Sequence, residues 1–109
     1  MVREITVEQL STRLAEASNS TVLLDVRQPE EHAIAALPAS ILIPLPELAA
    51  RAGELAVASG HLLVVYCHHG IRSRSGVTQL ERLGFPEVVS LAGGIEAWSQ
   101  RVDPTVPRY

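Results

Sequence analysis

The chain is 109 residues long, 47% hydrophobic and 19% charged, with a net charge of −3. Those values describe one folded domain with a single modest core, and they argue against a disordered chain. The mild acidity gives no support for a broad nucleic-acid-binding face. All nine cationic residues are arginine and they scatter along the chain, a pattern that reads first as codon bias. A single cysteine, Cys67, excludes an internal disulfide and fits a reducing compartment. Charges within the first six residues leave no apolar run for a signal peptide. The apolar segment 33–46 is too short to span a bilayer and is broken by Pro38, Pro44 and Pro46. The expectation is a cytoplasmic protein with no membrane partner.

In chain order, Thr6 reads as the N-cap of a helix over Val7–Ala17. Val7, Leu10 and Leu14 recur at helical spacing, and Gln9 completes a capping box. Thr21–Val26 reads as a strand buried on both faces, because its apolar residues are nearly continuous. Pro29 opens a short helix to about Ala35, with Glu30 and Glu31 near its positive end. Ser40–Ile43 is a second strand, closed by Pro44. A helix from Pro46 to Ala52 or Leu55 follows, and Gly60 turns the chain into the strand Leu62–Tyr66. Ser73–Leu83 reads as a helix with Gly84 as its cap. Val88–Leu91 is the next strand, Ile95–Arg101 the last helix, and residues 102–109 an extended tail. Strands alternating with helices imply a parallel sheet covered on both faces. Ligands in such sheets bind beyond the carboxyl ends of the strands.

The chemistry gathers in Cys67-His68-His69-Gly70-Ile71-Arg72-Ser73. The lone thiol stands between a strand end and a helix start, where main-chain N–H groups converge and the helix dipole favours negative charge. A reactive thiolate is expected there. Gly70 permits a positive φ, so that successive N–H groups can turn inward.

Three separated pieces then resemble a single-domain rhodanese, a sulfurtransferase module, over about Ile5 to Trp98. They are Leu24-Asp25-Val26-Arg27-Gln28-Pro29-Glu30-Glu31, the stretch Val65 to Ser73, and Leu91-Ala92-Gly93-Gly94-Ile95-Glu96-Ala97-Trp98. The tail 102–109 is similar to the end of rhodanese domains fused to adenylyltransferases that activate sulfur-carrier proteins. The family often has Gly-His-Ile-Pro-Gly-Ala where this chain has Ala35-Ala36-Leu37-Pro38-Ala39-Ser40, and Leu42 stands in a frequently polar position.

The resemblance implies an α/β fold with a five-stranded parallel sheet flanked by helices on both faces. It also implies transfer of sulfane sulfur from a small anionic donor such as thiosulfate to cyanide, a thiol or a protein, through a persulfide on Cys67. The amides of His68, His69, Gly70, Ile71, Arg72 and Ser73 would wrap the sulfur like an oxyanion hole. The Arg72 guanidinium would hold the donor at the mouth, the alternative being a solvated arginine at a helix start. Asp25 and Arg27 are expected to pair and brace loops at the same edge. Arg74 is expected to face solvent or an acid, His68 and His69 to line the pocket entrance, His32 and His61 to lie on the surface, and Trp98 to anchor a helix on the core. No cofactor or metal is expected, since two adjacent histidines without a further ligand do not make a set.

Two other readings compete. A related phosphatase or arsenate reductase needs Cys, five residues, then Arg, but position 73 is Ser and the arginines fall on either side of it. A non-catalytic binding module is the other, although such a relative would be expected to lack the nucleophile.

Overall fold

The computed structural model describes residues 2–109. Its elements are β1 Glu4–Ile5, α1 Val7–Ala17, β2 Thr21–Asp25, α2 Pro29–Ile34, β3 Ile41–Leu42, α3 Leu48–Arg51, β4 Leu62–Tyr66, α4 Arg72–Arg82, β5 Val88–Leu91 and α5 Gly94–Arg101. The strands form one parallel sheet in the order β1-β5-β4-β2-β3.

Alternate residues of each strand serve opposite faces. From β4, Val64 and Tyr66 join Val7, Leu10, Ile95 and Trp98 in the core layer under α1 and α5. Leu63 and Val65 join Leu48, Val77 and Leu80 in the layer under α3 and α4. Cys67 continues the alternation and falls on the α4 side. Strands buried on both faces need apolar residues at every position, which accounts for the continuous runs in β2 and β4.

The N-terminal cap forms as its sequence dictates: Gln9 N–H donates to Thr6 Oγ1 at 3.0 Å and Thr6 N–H donates to Gln9 Oε1 at 2.9 Å. Strand β1 has no counterpart among the strands read from sequence. Two residues on a sheet edge carry too little alternation to stand out, and β1 exists because it pairs with β5. The helix expected from Pro46 onward is instead a 3₁₀ turn, the four-residue α3 and a second 3₁₀ turn. The tail is also more than an extended strip. Val106 is buried, its N–H turns back to Asp103 O, and its carbonyl accepts from Ser99 Oγ at 2.6 Å.

The sheet register sets the site. Asp25 at the end of β2 lies opposite Tyr66 at the end of β4, so Asp25 and Cys67 emerge at the same edge. A cavity of about 530 Å³ opens at the other end of β2, lined by Leu14, Ser18, Thr21, Val22 and Trp98 among others. It shares no residue with the Cys67 loop.

Candidate active site

Cys67 follows β4 directly, and its sulfur is met by the chain that comes after it. Gly70 N–H points to Sγ at 3.2 Å and Ser73 N–H at 3.3 Å. The thiol lies 3.5 Å from Ser73 Oγ, to which it donates, and Ser73 Oγ is 2.7 Å from Ser90 Oγ. Cys67 is 1% exposed, and both serines are fully buried. Of the loop amides expected around the sulfur, those of Gly70 and Ser73 are the two within hydrogen-bond reach; the structure adds the Ser73 and Ser90 hydroxyls. Ser73 N–H belongs to the first turn of α4, where the helix end supplies unpaired donors. Ser90 carries no signal in the sequence, because its role arises only when β5 pairs with β4.

The tight loop depends on two glycines. Gly70 adopts φ 94, in the left-handed region, and a Cβ there would stand 3.0 Å from Gly93 N. A Cβ on Gly94 would run into the carbonyl oxygens of Cys67 and His68. That close approach lets the first amides of α5 clamp the loop, with Ile95 N–H donating to Cys67 O at 2.9 Å and Glu96 N–H to His68 O at 3.1 Å. The carbonyls are thereby turned toward α5, which leaves the N–H side of the loop facing the sulfur.

A network of charged side chains gathers at the same sheet edge. Arg27, fully buried, donates Nε to Asp25 Oδ1 at 2.9 Å and Nη2 to Asp25 Oδ2 at 2.7 Å. The same Nη2 reaches Ala35 O at 2.5 Å, while Nη1 donates to the Tyr109 hydroxyl at 2.7 Å. Burial opposes the Arg27 cation, but its bonds to Asp25 and Tyr109 prevail and push its pKa above the ordinary arginine value. Pairing is obligatory for a charge this deep. His32 adds a contact from Nδ1 to Asp25 Oδ2 at 2.8 Å. It is half-buried rather than on the surface, because α2 begins at Pro29 and turns this residue toward the end of β2.

The Arg72 side chain makes a two-point pair with Glu31, Nη1 to Oε1 at 2.7 Å and Nη2 to Oε2 at 2.9 Å. Those bonds outweigh burial and hold the Glu31 carboxyl down at about 2. The Tyr109 hydroxyl donates to Glu31 Oε2 at 2.7 Å, and its own pKa is pushed up to about 12, chiefly by burial. His68 is sandwiched, its ring 4.0 Å from that of His69 and 3.9 Å from that of Tyr109. Burial, then the neighbouring His69, lowers the His68 pKa, which favours the neutral ring. Arg74 meets Glu4 at 3.2 Å on the exposed face of α4. Trp98 is buried in the core layer beneath α1 and α5.

The site therefore unites Asp25, Arg27, Cys67, Gly70, Arg72 and Ser73 at one sheet edge. Glu31, Ser90 and Tyr109 join it without warning from the sequence. Glu31 reads there only as a helix-start acid and Tyr109 only as part of a tail, since nothing local announces a contact across 41 or 78 residues.

Residues 6–101 match the Rhodanese-like domain family, and the chain belongs to that family. It is 35% identical over 106 residues to a sulfurtransferase from Allochromatium vinosum, an alignment covering 97% of this chain and 96% of that protein. It is 36% identical over 105 residues to an adenylyltransferase and sulfurtransferase from Ogataea parapolymorpha, covering 96% of this chain but only 25% of the relative's length. Among solved structures, a rhodanese-related protein from Thermoplasma volcanium superposes with a TM-score of 0.81 at 31% identity, covering 96% of this chain and 97% of that one. A rhodanese-like domain protein from Staphylococcus aureus gives 0.82 at 27% identity and 99% coverage of both. The α/β fold with a five-stranded parallel sheet is thus that of the family. None of the described helices is long and apolar enough to cross a membrane.

Proposed function

We propose that this chain is a sulfurtransferase in which Cys67 receives sulfane sulfur from a donor, holds it as a persulfide, and passes it to a thiophilic acceptor. The observation that carries this is the pair of N–H groups, from Gly70 and Ser73, aimed at the single cysteine's Sγ at 3.2 and 3.3 Å. Two fixed donors on a desolvated sulfur suit an anion and need no rearrangement as charge develops. The family membership, and relatives named as sulfurtransferases, support the same chemistry.

With thiosulfate as donor, the Cys67 thiolate attacks the outer sulfur. The new S–S bond forms as the old one breaks, and sulfite leaves with the bonding pair. The enzyme persulfide keeps one negative charge on its terminal sulfur, near the same donors. Ser73 can follow the change of charge: its hydroxyl accepts from the thiol, and turns to donate to the anion while accepting from Ser90. An acceptor thiolate or cyanide then attacks the terminal sulfur and frees Cys67 as thiolate. A phosphatase is disfavoured because the sulfur itself takes up the Gly70 and Ser73 amides, and Ser fills the position where an arginine clasp is required.

A protein-borne acceptor is the second reading, and what favours it is that the longer relatives combine adenylyltransferase with sulfurtransferase in one protein.

Intact-mass measurement after thiosulfate tests the proposal. Wild-type protein is expected to gain one sulfur atom and to lose it on adding cyanide, while Cys67→Ser gains nothing and stays folded. A Cys67→Ser protein that still turns over thiosulfate would refute the mechanism.

A further inference from the structure

We propose that Glu31, held in place by Tyr109, is a specificity-determining residue that occupies Arg72 in place of a substrate anion and so restrains the site against small anionic donors. This deepens the sulfurtransferase assignment and rests on it.

Both terminal nitrogens of Arg72 are engaged by the two oxygens of Glu31, at 2.7 and 2.9 Å. A guanidinium held in this fork has given its best oxyanion geometry to a carboxylate of its own chain. Glu31 is itself fixed on other sides: Oε1 accepts from Gln28 N–H at 3.1 Å, and Oε2 accepts from the Tyr109 hydroxyl at 2.7 Å. Arg27 Nη1 donates to that hydroxyl at 2.7 Å, which commits the tyrosine's one proton to Glu31.

Tyr109 does not reach this position by chance of a loose tail. Its ring lies on His68 at 3.9 Å and 10° from parallel, and Arg108 beside it pairs with Glu96 at 2.6 Å. Buried Val106 ties the preceding turn to α5.

The charges at this sheet edge consequently cancel in pairs, Arg27 with Asp25 and Arg72 with Glu31. A dianion approaching the mouth finds little net positive potential until Glu31 is displaced. Displacement exchanges one set of oxygens for another on Arg72 and makes or breaks no covalent bond. Donors or acceptors that do not call on Arg72 escape this competition. Glu31 and Tyr109 touch neither the sulfur nor the reacting atoms; both act through Arg72, as positioning residues.

Glu31→Gln tests the idea with small structural disturbance, because the amide oxygen can still accept from Gln28 N–H while the charge is gone. In full-length protein at low salt, its KM for thiosulfate is expected to fall about three- to tenfold, with kcat changed by less than about twofold. Tyr109→Phe keeps the ring on His68 and removes the bond to Glu31; its KM is expected to fall by about twofold. In an Arg72→Gln background the gain from Glu31→Gln should vanish. An unchanged or higher KM in folded Glu31→Gln protein would overturn the proposal, and the same result in Tyr109→Phe would overturn it should Glu31→Gln not fold. If wild-type Cys67 takes up no sulfur, it is the sulfurtransferase assignment that fails. The competition is then read as thiosulfate binding to Cys67→Ser by calorimetry, where adding Glu31→Gln must tighten binding for the proposal to stand.

Discussion

The cradle around Cys67 and the charged mouth at the same sheet edge are built in opposite ways. The cradle is main chain and hydroxyl, drawn from residues 67–73 with Ser90 alone from elsewhere. The mouth is made of charged side chains from the end of β2 and the residues after it, α2 and α4, with the Tyr109 hydroxyl from the tail. A main-chain cradle is set by backbone conformation, so it depends on Gly70 and Gly94 rather than on matched charges. A mouth of ion pairs is only as sound as its least replaceable partner, because losing one charge strands the other. Asp25→Ala sharpens that contrast most. It leaves Arg27 buried against Ala35 O and Tyr109 with no counter-charge. A loss of about 3–5 kcal/mol in urea unfolding is expected, the scale of breaking a buried pair. A loss under about 1 kcal/mol would show that the pair is solvated and that the mouth is not held by charge.

The same contrast explains what the sequence disclosed. The strand Leu62–Tyr66, the loop after it and the glycine pair at 93–94 are contiguous patterns, so the fold class and the position of the Cys67 loop are readable, while the Ser90 hydroxyl and the choice of the Gly70 and Ser73 amides are not. The boundaries shifted by a residue or two where caps decide them: α4 starts at Arg72 rather than Ser73, and α5 at Gly94 rather than Ile95. The mouth was half legible. Asp25 and Arg27 lie two residues apart and could be seen to pair, whereas the partners of Arg72 come from distant segments that only the folded chain brings near. From sequence, Arg72 is either an anion-binding group or a solvated arginine at a helix start; in the fold its guanidinium is engaged at two points by Glu31.

The stretch Ala35 to Ser40, where family glycines and a histidine are absent, has its own support. The Tyr66 hydroxyl accepts Leu37 N–H at 3.1 Å and lies 2.8 Å from Ser40 Oγ, pinning the turn to the end of β4. The cost of the substitution shows at Ala39, whose φ of 61 puts an L residue in the left-handed region. That strain is roughly 1–2 kcal/mol, and glycine relieves it, offset in part by the freedom glycine adds to the unfolded chain. Ala39→Gly is therefore expected to stabilise the protein by about 0.5–1 kcal/mol, read as a higher melting temperature. Because Ala35 O accepts from Arg27, the variant also asks whether easing this turn loosens the mouth. A fall in stability would mean that the added freedom of the unfolded chain outweighs the relief of strain.

The smallest expected effect is the one most specific to the mouth. Glu31 faces Arg72 from α4 and Tyr109 from the tail, and Arg27 stands behind Tyr109. All three stay protonated in acid, so Glu31 is the group of this cluster that titrates there. Its carboxyl is held at about 2, chiefly by the Arg72 hydrogen bonds, against an ordinary value of 4.5. A depressed carboxylate contributes stability that is complete above the unfolded value and is lost as pH falls toward the folded one. The difference in stability between wild type and Glu31→Gln should be flat above about pH 5, no more than about 1 kcal/mol for a pair this near solvent, and should shrink between pH 4.5 and 2. Proton-detected titration of the Glu31 side chain gives the same answer without unfolding. A midpoint near 4.5 would show the clasp to be open in solution, and would remove the premise that Glu31 occupies Arg72.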